Sequence, residues 1–233
     1  MITERFDFEN RTGQRLSARL QRPLGPVRAY AVFAHCFTCS KNLNAVVQVN
    51  KALSEVGIAV LRFDFTGLGQ SEGEFGETNF SSNIDDLRRA CEVLAERYEA
   101  PQLLVGHSLG GAAVLHLAGE LDHVRAVATI GAPSEPTHVR ATLGESVEEI
   151  EQKGVATVRL AGRPFTIQKQ FLDDLEAHRM DGAIDKLGAA LLVMHAPLDE
   201  TVGIDNATQI FLKAKHPKSF VSLDDADHLM TRP

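Results

Sequence analysis

The sequence predicts an α/β fold built on a mostly parallel, doubly wound sheet. Short, almost wholly apolar segments recur along the chain, and such runs are typical of strands buried on both faces. Segments with helical periodicity separate them, and this alternation predicts parallel strands with helices on both sides. The predicted strands are residues 29–34, 58–63, 103–105, 124–130, 190–194 and 219–223.

The N-terminal segment has a different pattern. Phe6 and Phe8 precede the turn-like residues 10–13, and Leu16 and Leu20 follow them. Alternation with period two around a turn predicts an antiparallel β-hairpin at one edge of the sheet.

The clearest predicted helix comprises residues 81–98, where apolar side chains recur at helical spacing. Ser82 is followed three residues later by Asp85, so we expect this pair to cap the N-terminus of the helix.

Composition limits the class of protein. With 233 residues, 44% of them hydrophobic, the chain can bury the core of one large domain. The net charge of −7 and the absence of a Lys/Arg cluster argue against nucleic-acid binding. No secretory signal and no apolar run of about 18 residues is present, so we expect no membrane association and a cytoplasmic location. Reduced thiols are therefore expected for Cys36, Cys39 and Cys91.

One long interval interrupts the strand–helix rhythm. Residues 134–186 contain an acidic helical piece, a hairpin with its turn at 161–164, and a second helix. Insertions of this length are usually lids or binding elements, so we expect a small cap on a core of residues 1–133 and 187–233. Phe165, Phe171 and Leu172, with the turn around Arg163, are expected to give this cap an apolar lining.

The strongest motif is Gly106-His107-Ser108-Leu109-Gly110, which lies between a predicted strand and a predicted helix. It has the form G-x-S-x-G, in which the serine occupies a strained strand-to-helix turn above the sheet. Glycines are needed two residues before and after the serine because larger side chains would collide there. Ser108 is the predicted nucleophile.

A serine nucleophile needs a base and a carboxylate that orients the base. Asp199 and His228 follow the last two predicted strands, so both are expected at the sheet edge that carries Ser108. Glu135, just after an earlier strand, is the alternative acid. Asp227 adjoins His228, but neighbouring side chains seldom point together.

The segment His35-Cys36-Phe37-Thr38-Cys39 follows the first predicted parallel strand. We expect the backbone N–H groups of Phe37 and Leu109 to form an oxyanion hole, with His35, Cys36 and His107 supporting the site. A metal site would need four ligands, and a thioredoxin-like C-x-x-C pair would need a different fold, so no metal and no cofactor is expected.

Several stretches resemble the α/β-hydrolase superfamily, and more specifically the hydrolase half of proteins that fuse an α/β-hydrolase to a C-terminal OsmC-like domain. They are HCFTCSKN (35–42), RFDFTGLGQSEG (62–73), GHSLGG (106–111), AGRPFTI (161–167) and HPKSFVSLDDADHL (216–229). The resemblance implies a serine esterase for small acyl esters, and an OsmC-like partner associated with hydroperoxide defence.

The expected function is therefore carboxylic-ester hydrolysis through an acyl-enzyme. Thioesterase, perhydrolase or peptidase activity would use the same residues, and a non-catalytic module that supports a partner domain is the alternative from another class. Only residues 224–233 follow the last predicted strand. We therefore expect an uncovered apolar sheet face there, and either a further domain or self-association to cover it.

Overall fold

A computed structural model describes residues 1–160 and 162–231. Eight of the described strands form one sheet in the order β1-β4-β6-β5-β7-β8-β11-β12, and β2–β3 and β9–β10 form separate two-stranded sheets. The strands are β1 (Ile2–Arg5), β2 (Phe8–Glu9), β3 (Arg15–Leu16), β4 (Ala18–Arg22), β5 (Ala29–Ala34), β6 (Ile58–Phe63), β7 (Leu103–His107), β8 (Ala126–Ile130), β9 (Val155–Leu160), β10 (Arg163–Gln168), β11 (Ala190–His195) and β12 (Lys218–Ser222).

The six strands from β6 to β12 in the sheet order are parallel, whereas β1 and β4 join the sheet antiparallel. This confirms the predicted α/β-hydrolase fold with an antiparallel N-terminal edge. The carboxyl ends of β5, β7, β8, β11 and β12 therefore meet at one edge of the sheet, where ligand and active sites of such folds lie.

Helices cover the two faces of the sheet unequally. Side chains of α2, α3 and α8 pack into the larger core cluster, and α1 packs into a smaller cluster on the opposite face. The helices are α1 (Asn44–Glu55), α2 (Phe80–Arg97), α3 (Leu109–Ala118), α4 (Val139–Leu143), α5 (Ser146–Lys153), α6 (Lys169–Ala177), α7 (Asp181–Asp185) and α8 (Asp205–Lys213).

The prediction that Ser82 and Asp85 cap the N-terminus of α2 is wrong, because Asn79 and Ser82 form the capping pair. Asn79 precedes the helix in extended conformation and accepts a hydrogen bond from the backbone N–H of Ser82, while the Ser82 side chain pairs with the Asn79 backbone. This reciprocal pair satisfies amide groups that the first helical turn leaves without partners. Ser82 therefore takes the second position of the capping box rather than the first.

The interval 134–186 contains α4 to α7 and the β9–β10 hairpin. Ala161, in the predicted turn, lies outside the described residues, and β10 begins at Arg163. Helix α6 is fixed to the N-terminus of α2, because Asp174 accepts hydrogen bonds from the backbone N–H and the hydroxyl of Ser81 at 2.9 and 2.5 Å. A carboxylate is stabilised at a helix N-terminus, so this contact attaches the interval to the core.

Part of the α1 face lacks a covering helix. Within residues 1–160 and 162–231, α1 is the only helix that contributes to the core cluster on this face. A groove of about 760 Å³ runs over β8 and β11 and is lined by apolar side chains such as Leu192, Met194 and Met230. Val221 on β12, whose register partner Met194 packs on this face, is 43% exposed. The uncovered face agrees with the sequence expectation, and the OsmC-like domain or self-association that would cover it stays a prediction.

No described helix has the length and apolar content that crossing a bilayer requires.

Candidate active site

Ser108 lies in a strained turn between β7 and α3. Its φ is 56° and its ψ is −127°, a conformation that non-glycine residues rarely adopt. A Cβ on Gly106 would lie 2.4 Å from the carbonyl oxygen of Gly110, and one on Gly110 would lie 2.4 Å from the carbonyl oxygens of Ala34 and His35. The collisions that the motif predicts are therefore present, and the second one sets the turn directly against the end of β5.

Three predicted residues form one hydrogen-bonded chain. His228 Nε2 lies 3.0 Å from Ser108 Oγ, and His228 Nδ1 lies 2.7 Å from Asp199 Oδ2. The loops after β7, β11 and β12 bring them together. Gly131, which the sequence reasoning missed, lies beneath this chain with φ +54°, and a Cβ there would lie 3.2 Å from Asp199 Oδ2.

The Asp199 carboxylate is buried and held by several donors. Oδ1 accepts hydrogen bonds from the backbone N–H groups of Thr201 and Val202, each at 2.9 Å, and Oδ2 faces His228. Burial alone would raise the pKa of Asp199, but the hydrogen bonds from His228, Val202 and Thr201 outweigh it and hold the pKa below its ordinary value. The carboxylate therefore stays ionised and faces the Nδ1–H side of the imidazole.

His107, the residue before Ser108, supports the loop that carries His228. It is fully buried, and its Nε2–H donates to the backbone carbonyl of His228 at 2.7 Å. Burial, with a smaller contribution from the neighbouring His228, lowers the pKa of His107 from 6.5 to about 4. His107 is therefore neutral at neutral pH, with its one proton on Nε2.

Acidification is expected to destabilise the fold through His107. Because its pKa is lower in the folded than in the unfolded chain, its stabilising contribution is complete above about pH 6.5 and falls as the pH drops toward 4. Between pH 7.5 and 5 the loss is about 2 kcal/mol. Urea unfolding at several pH values measures this loss of stability. The comparison is between the wild type and His107→Gln, whose side chain keeps a hydrogen-bond donor but does not titrate. Equal pH dependence of the two proteins would contradict it.

The loop after β5 carries the predicted oxyanion donor. In the described part of the chain, neither the Phe37 nor the Leu109 amide donates to a protein group, and both residues line the cavity that Ser108 and His228 also line. The sequence reasoning missed what fixes this loop. Lys41 is fully buried, and its ammonium lies 2.5 Å from the buried carboxylate of Asp64.

Asp64 also explains the glycine-rich segment 62–73. Its carboxylate accepts hydrogen bonds from the backbone N–H of Lys41 at 2.6 Å and of Gln70 at 2.9 Å. Gly69 has φ +57°, and a Cβ there would lie 2.3 Å from that carboxylate. The segment thus wraps around the group that holds the oxyanion loop.

The predicted reduced state of the thiols is wrong for two of the three cysteines. A disulfide joins Cys36 to Cys39, the two residues that flank Phe37 and Thr38. C-x-x-C spacing in a tight loop brings the two sulfurs within bonding reach, with a Cα–Cα distance of 5.3 Å. Cys91 is free and buried, and burial raises the pKa of its thiol to about 12. It is thus not poised as a nucleophile.

Loss of the disulfide is expected to leave in place most of the ester hydrolysis that the sequence predicts. The proposed donor in this loop is the Phe37 amide, and the buried Lys41–Asp64 pair holds the loop independently of the sulfurs. Cys36→Ala and Cys39→Ala should each keep at least about a third of the wild-type kcat, because neither removes an oxyanion donor. A loss equal to that of Ser108→Ala, in a folded protein, would instead indicate a catalytic thiol.

The cavity above Ser108 has a volume of about 610 Å³, within the usual range for small-molecule sites. Residues of the interval 134–186 that line it include Val139, Thr142, Leu160 and Arg163. The prediction that Phe165, Phe171 and Leu172 line the cavity is wrong, because these side chains pack in the core cluster behind it.

The remaining candidates have other partners. Glu135 accepts a hydrogen bond from the Met180 backbone N–H at 3.1 Å and lies 3.9 Å from the Lys213 ammonium, so its carboxylate is directed away from His228. Asp227 binds the backbone N–H of Thr231 at 2.7 Å. His195 is buried, and its Nε2–H donates to the carbonyl of Val202 at 2.7 Å. Among residues 1–160 and 162–231, no cluster of His, Cys, Asp or Glu has the arrangement of a metal site.

Comparison with known proteins assigns the family. The model of the family described as Serine aminopeptidase, S33, matches residues 25–158, which is more than half of the chain. The chain belongs to this family of α/β hydrolases. The esterase domain of a Rhodothermus marinus protein is 52% identical, with a TM-score of 0.80 over 100% of this chain and 92% of that one.

More distant relatives include a thioesterase. The mouse (Mus musculus) mitochondrial palmitoyl-protein thioesterase ABHD10 is 29% identical over 81% of this chain, and this chain spans 66% of that protein's length. Est1E from Butyrivibrio proteoclasticus with bound ferulic acid has a TM-score of 0.85 at 22% identity, over 97% of this chain and 92% of that one, which shows the shared fold. The chain is thus a hydrolase with relatives of esterase and thioesterase type.

Proposed function

We propose that this protein is a serine carboxylesterase that cleaves small acyl esters through an acyl-enzyme intermediate. One observation carries the proposal: Ser108, His228 and Asp199 form a continuous hydrogen-bonded chain at the wall of an apolar cavity. Such a chain is how a serine hydroxyl, itself a poor nucleophile at neutral pH, is activated.

In the proposed reaction His228 Nε2 takes the proton of Ser108 Oγ while Oγ attacks the acyl carbonyl carbon. The carbonyl π electrons move to the oxygen, which then accepts hydrogen bonds from the N–H groups of Phe37 and Leu109. When this oxyanion collapses, the ester C–O bond breaks and His228 gives its proton to the departing alcohol. His228 then deprotonates a water, which attacks the acyl carbon; the bond to Ser108 Oγ breaks, the acid leaves, and His228 returns the proton to Oγ. Asp199 stabilises the imidazolium in both steps.

The positions of the Leu109 and Phe37 amides support their proposed role as oxyanion donors. Leu109 N–H belongs to the N-terminus of α3, where negative charge is favoured, and Phe37 N–H approaches from the neighbouring β5 loop. Each donor of this kind contributes about 10²–10³ in kcat in well-studied serine hydrolases.

Activity is expected to fall as the acyl chain of the substrate becomes longer. The cap closes the cavity with Val139, Thr142 and Leu160, leaving about 610 Å³ for the acyl and alcohol groups together. Along a series of 4-nitrophenyl esters, kcat/KM should fall about tenfold or more between butanoate and dodecanoate, because the longer chain must displace the cap. A rate that rises steadily toward palmitate would contradict a short-chain site.

A thioesterase is the second candidate, favoured by the mouse relative that carries that name. The same nucleophile would attack a thioester carbonyl, so matched acyl groups on oxygen and sulfur discriminate between the two activities. We expect butanoate esters to be cleaved with the higher kcat/KM when leaving groups of similar pKa are compared. Preference for the thioester would assign the second activity.

A fluorophosphonate tests the proposed nucleophile. One equivalent should bind per chain, to the peptide that contains Ser108, and abolish hydrolysis. An unlabelled, folded protein would leave no support for the proposal.

A further inference from the structure

An aromatic cluster connects the cap to the oxyanion loop. It consists of Phe37 from the loop, Phe75 from the 3₁₀ turn Phe75–Glu77, Phe165 from β10 and Phe171 from α6. The ring of Phe37 stacks on that of Phe171, with centroids 5.1 Å apart and planes inclined by 25°, and contacts Phe75 at 5.4 Å. Phe75 in turn packs edge-on against Phe165 at 4.9 Å.

The side chain and the backbone amide of Phe37 therefore have different surroundings. The residue is half-buried, with its ring in the cluster, and it lines the cavity, whereas its backbone N–H has no protein acceptor among the described residues. Rotation of the Phe37 residue would move both groups together. Contacts that hold the ring restrain the Cα–Cβ bond of Phe37, and through it the orientation of the peptide that carries the N–H.

A second contact fixes the same loop from the cap. The guanidinium of Arg163, at the start of β10, donates a hydrogen bond to the carbonyl oxygen of Thr38, the residue after Phe37. Arg163 also lies over the ring of Phe165, 5.3 Å from its centroid. The cap thus contacts the loop at two points, the ring of Phe37 and the backbone carbonyl of Thr38.

We propose that Phe171 is a positioning residue for the oxyanion hole: by stacking on Phe37, it restrains the direction of the Phe37 amide. This inference rests on the proposed esterase function and assigns the cap a part in the chemical step as well as in substrate selection. Aromatic stacking is directional, and a displacement of about 1 Å at a reacting group can cost about 10²-fold in rate.

The inference predicts a specific kinetic signature for Phe171→Leu, which keeps an apolar group of similar bulk but loses the stack. For butanoate hydrolysis kcat should fall by about 10- to 100-fold, while KM changes less than about twofold, because only the transition state carries the oxyanion. The inhibition constant of an alkyl boronic acid, whose serine adduct places an oxygen in the oxyanion hole, should rise by a similar factor. Phe171→Tyr should restore most of the kcat.

Leu175→Ala is the matched control. Leu175 is fully buried one turn further along α6 and is not a member of the aromatic cluster, so this substitution loosens the cap without removing the stack. It should lower the unfolding temperature more than Phe171→Leu does and leave kcat and the boronic acid affinity nearly unchanged. Equal losses of kcat in the two variants would reduce Phe171 to a packing residue and overturn the inference.

Fluorophosphonate labelling separates the two levels of the proposal. In Phe171→Leu, Ser108 should still be labelled to one equivalent, at a lower rate. If the wild type is labelled but Phe171→Leu keeps its kcat, or raises only KM, the positioning role is overturned and the esterase proposal stands. If the wild type is not labelled, both fail.

Discussion

Replacement of Ser108 by Ala is expected to lower ester turnover by about 10⁴- to 10⁶-fold without unfolding the protein. The change removes the Oγ that lies 3.0 Å from His228 Nε2. Alanine keeps the Cβ, so the strained backbone at φ 56° is held by the same packing of Gly106 and Gly110. Hydrolysis of 4-nitrophenyl butanoate, compared with the wild type at equal folded protein, measures the loss.

Thermal unfolding of the variant supplies the control for this experiment. The unfolding temperature should match that of the wild type within a few degrees, because one hydrogen-bonded hydroxyl contributes only about 1 kcal/mol. More than a tenth of the wild-type turnover in a folded Ser108→Ala protein would remove Ser108 from the mechanism.

Asp199→Asn is expected to lower kcat by about 10³- to 10⁴-fold. Asn keeps an oxygen for the amides of Thr201 and Val202, so its NH₂ group faces His228. The imidazole must then accept at Nδ1 and carry its proton on Nε2, where it cannot take the proton of Ser108. Steady-state kinetics should show the loss in kcat, with a fold that still unfolds cooperatively.

Glu135→Gln is the matched comparison for the acid. The Glu135 carboxylate caps the Met180 amide and faces Lys213, so its neutral analogue should keep kcat within about threefold. If Glu135→Gln proves the more damaging of the two changes, the acid follows β8 rather than β11.

The fold and the three residues of the hydrogen-bonded chain could be predicted because both depend on local patterns. Continuous apolar runs mark buried parallel strands, and parallel strands place their following loops at one edge. Ser108, Asp199 and His228 each follow such a strand, so their proximity follows from topology without knowledge of any side-chain contact.

Contacts between residues distant in sequence could not be predicted in this way. Arg163 reaches Thr38 across 125 positions, and no periodicity connects the two. Phe171 was predicted to line the cap because helical periodicity identifies the apolar face of α6. Periodicity does not identify the residues against which that face packs. The same limit applies to Lys41, whose burial becomes understandable only when Asp64 is seen 2.5 Å away.

The local corrections have different causes. Asn79 and Ser82 both fit the start of α2, and the choice depends on the extended conformation of Asn79, with φ −152°. The thiol state of Cys36 and Cys39 was inferred from the absence of an export signal, whereas their pairing depends on loop geometry.

The acyl-enzyme is the central claim, and its direct observation is the sharpest test. Rapid mixing of excess 4-nitrophenyl acetate with the protein should release a burst of one equivalent of 4-nitrophenol per chain. Acid quenching followed by peptide mass spectrometry should place one acetyl group on Ser108, and Ser108→Ala should show neither burst nor adduct. An acetyl group on another residue instead of Ser108, or undiminished turnover by Ser108→Ala, would contradict the account.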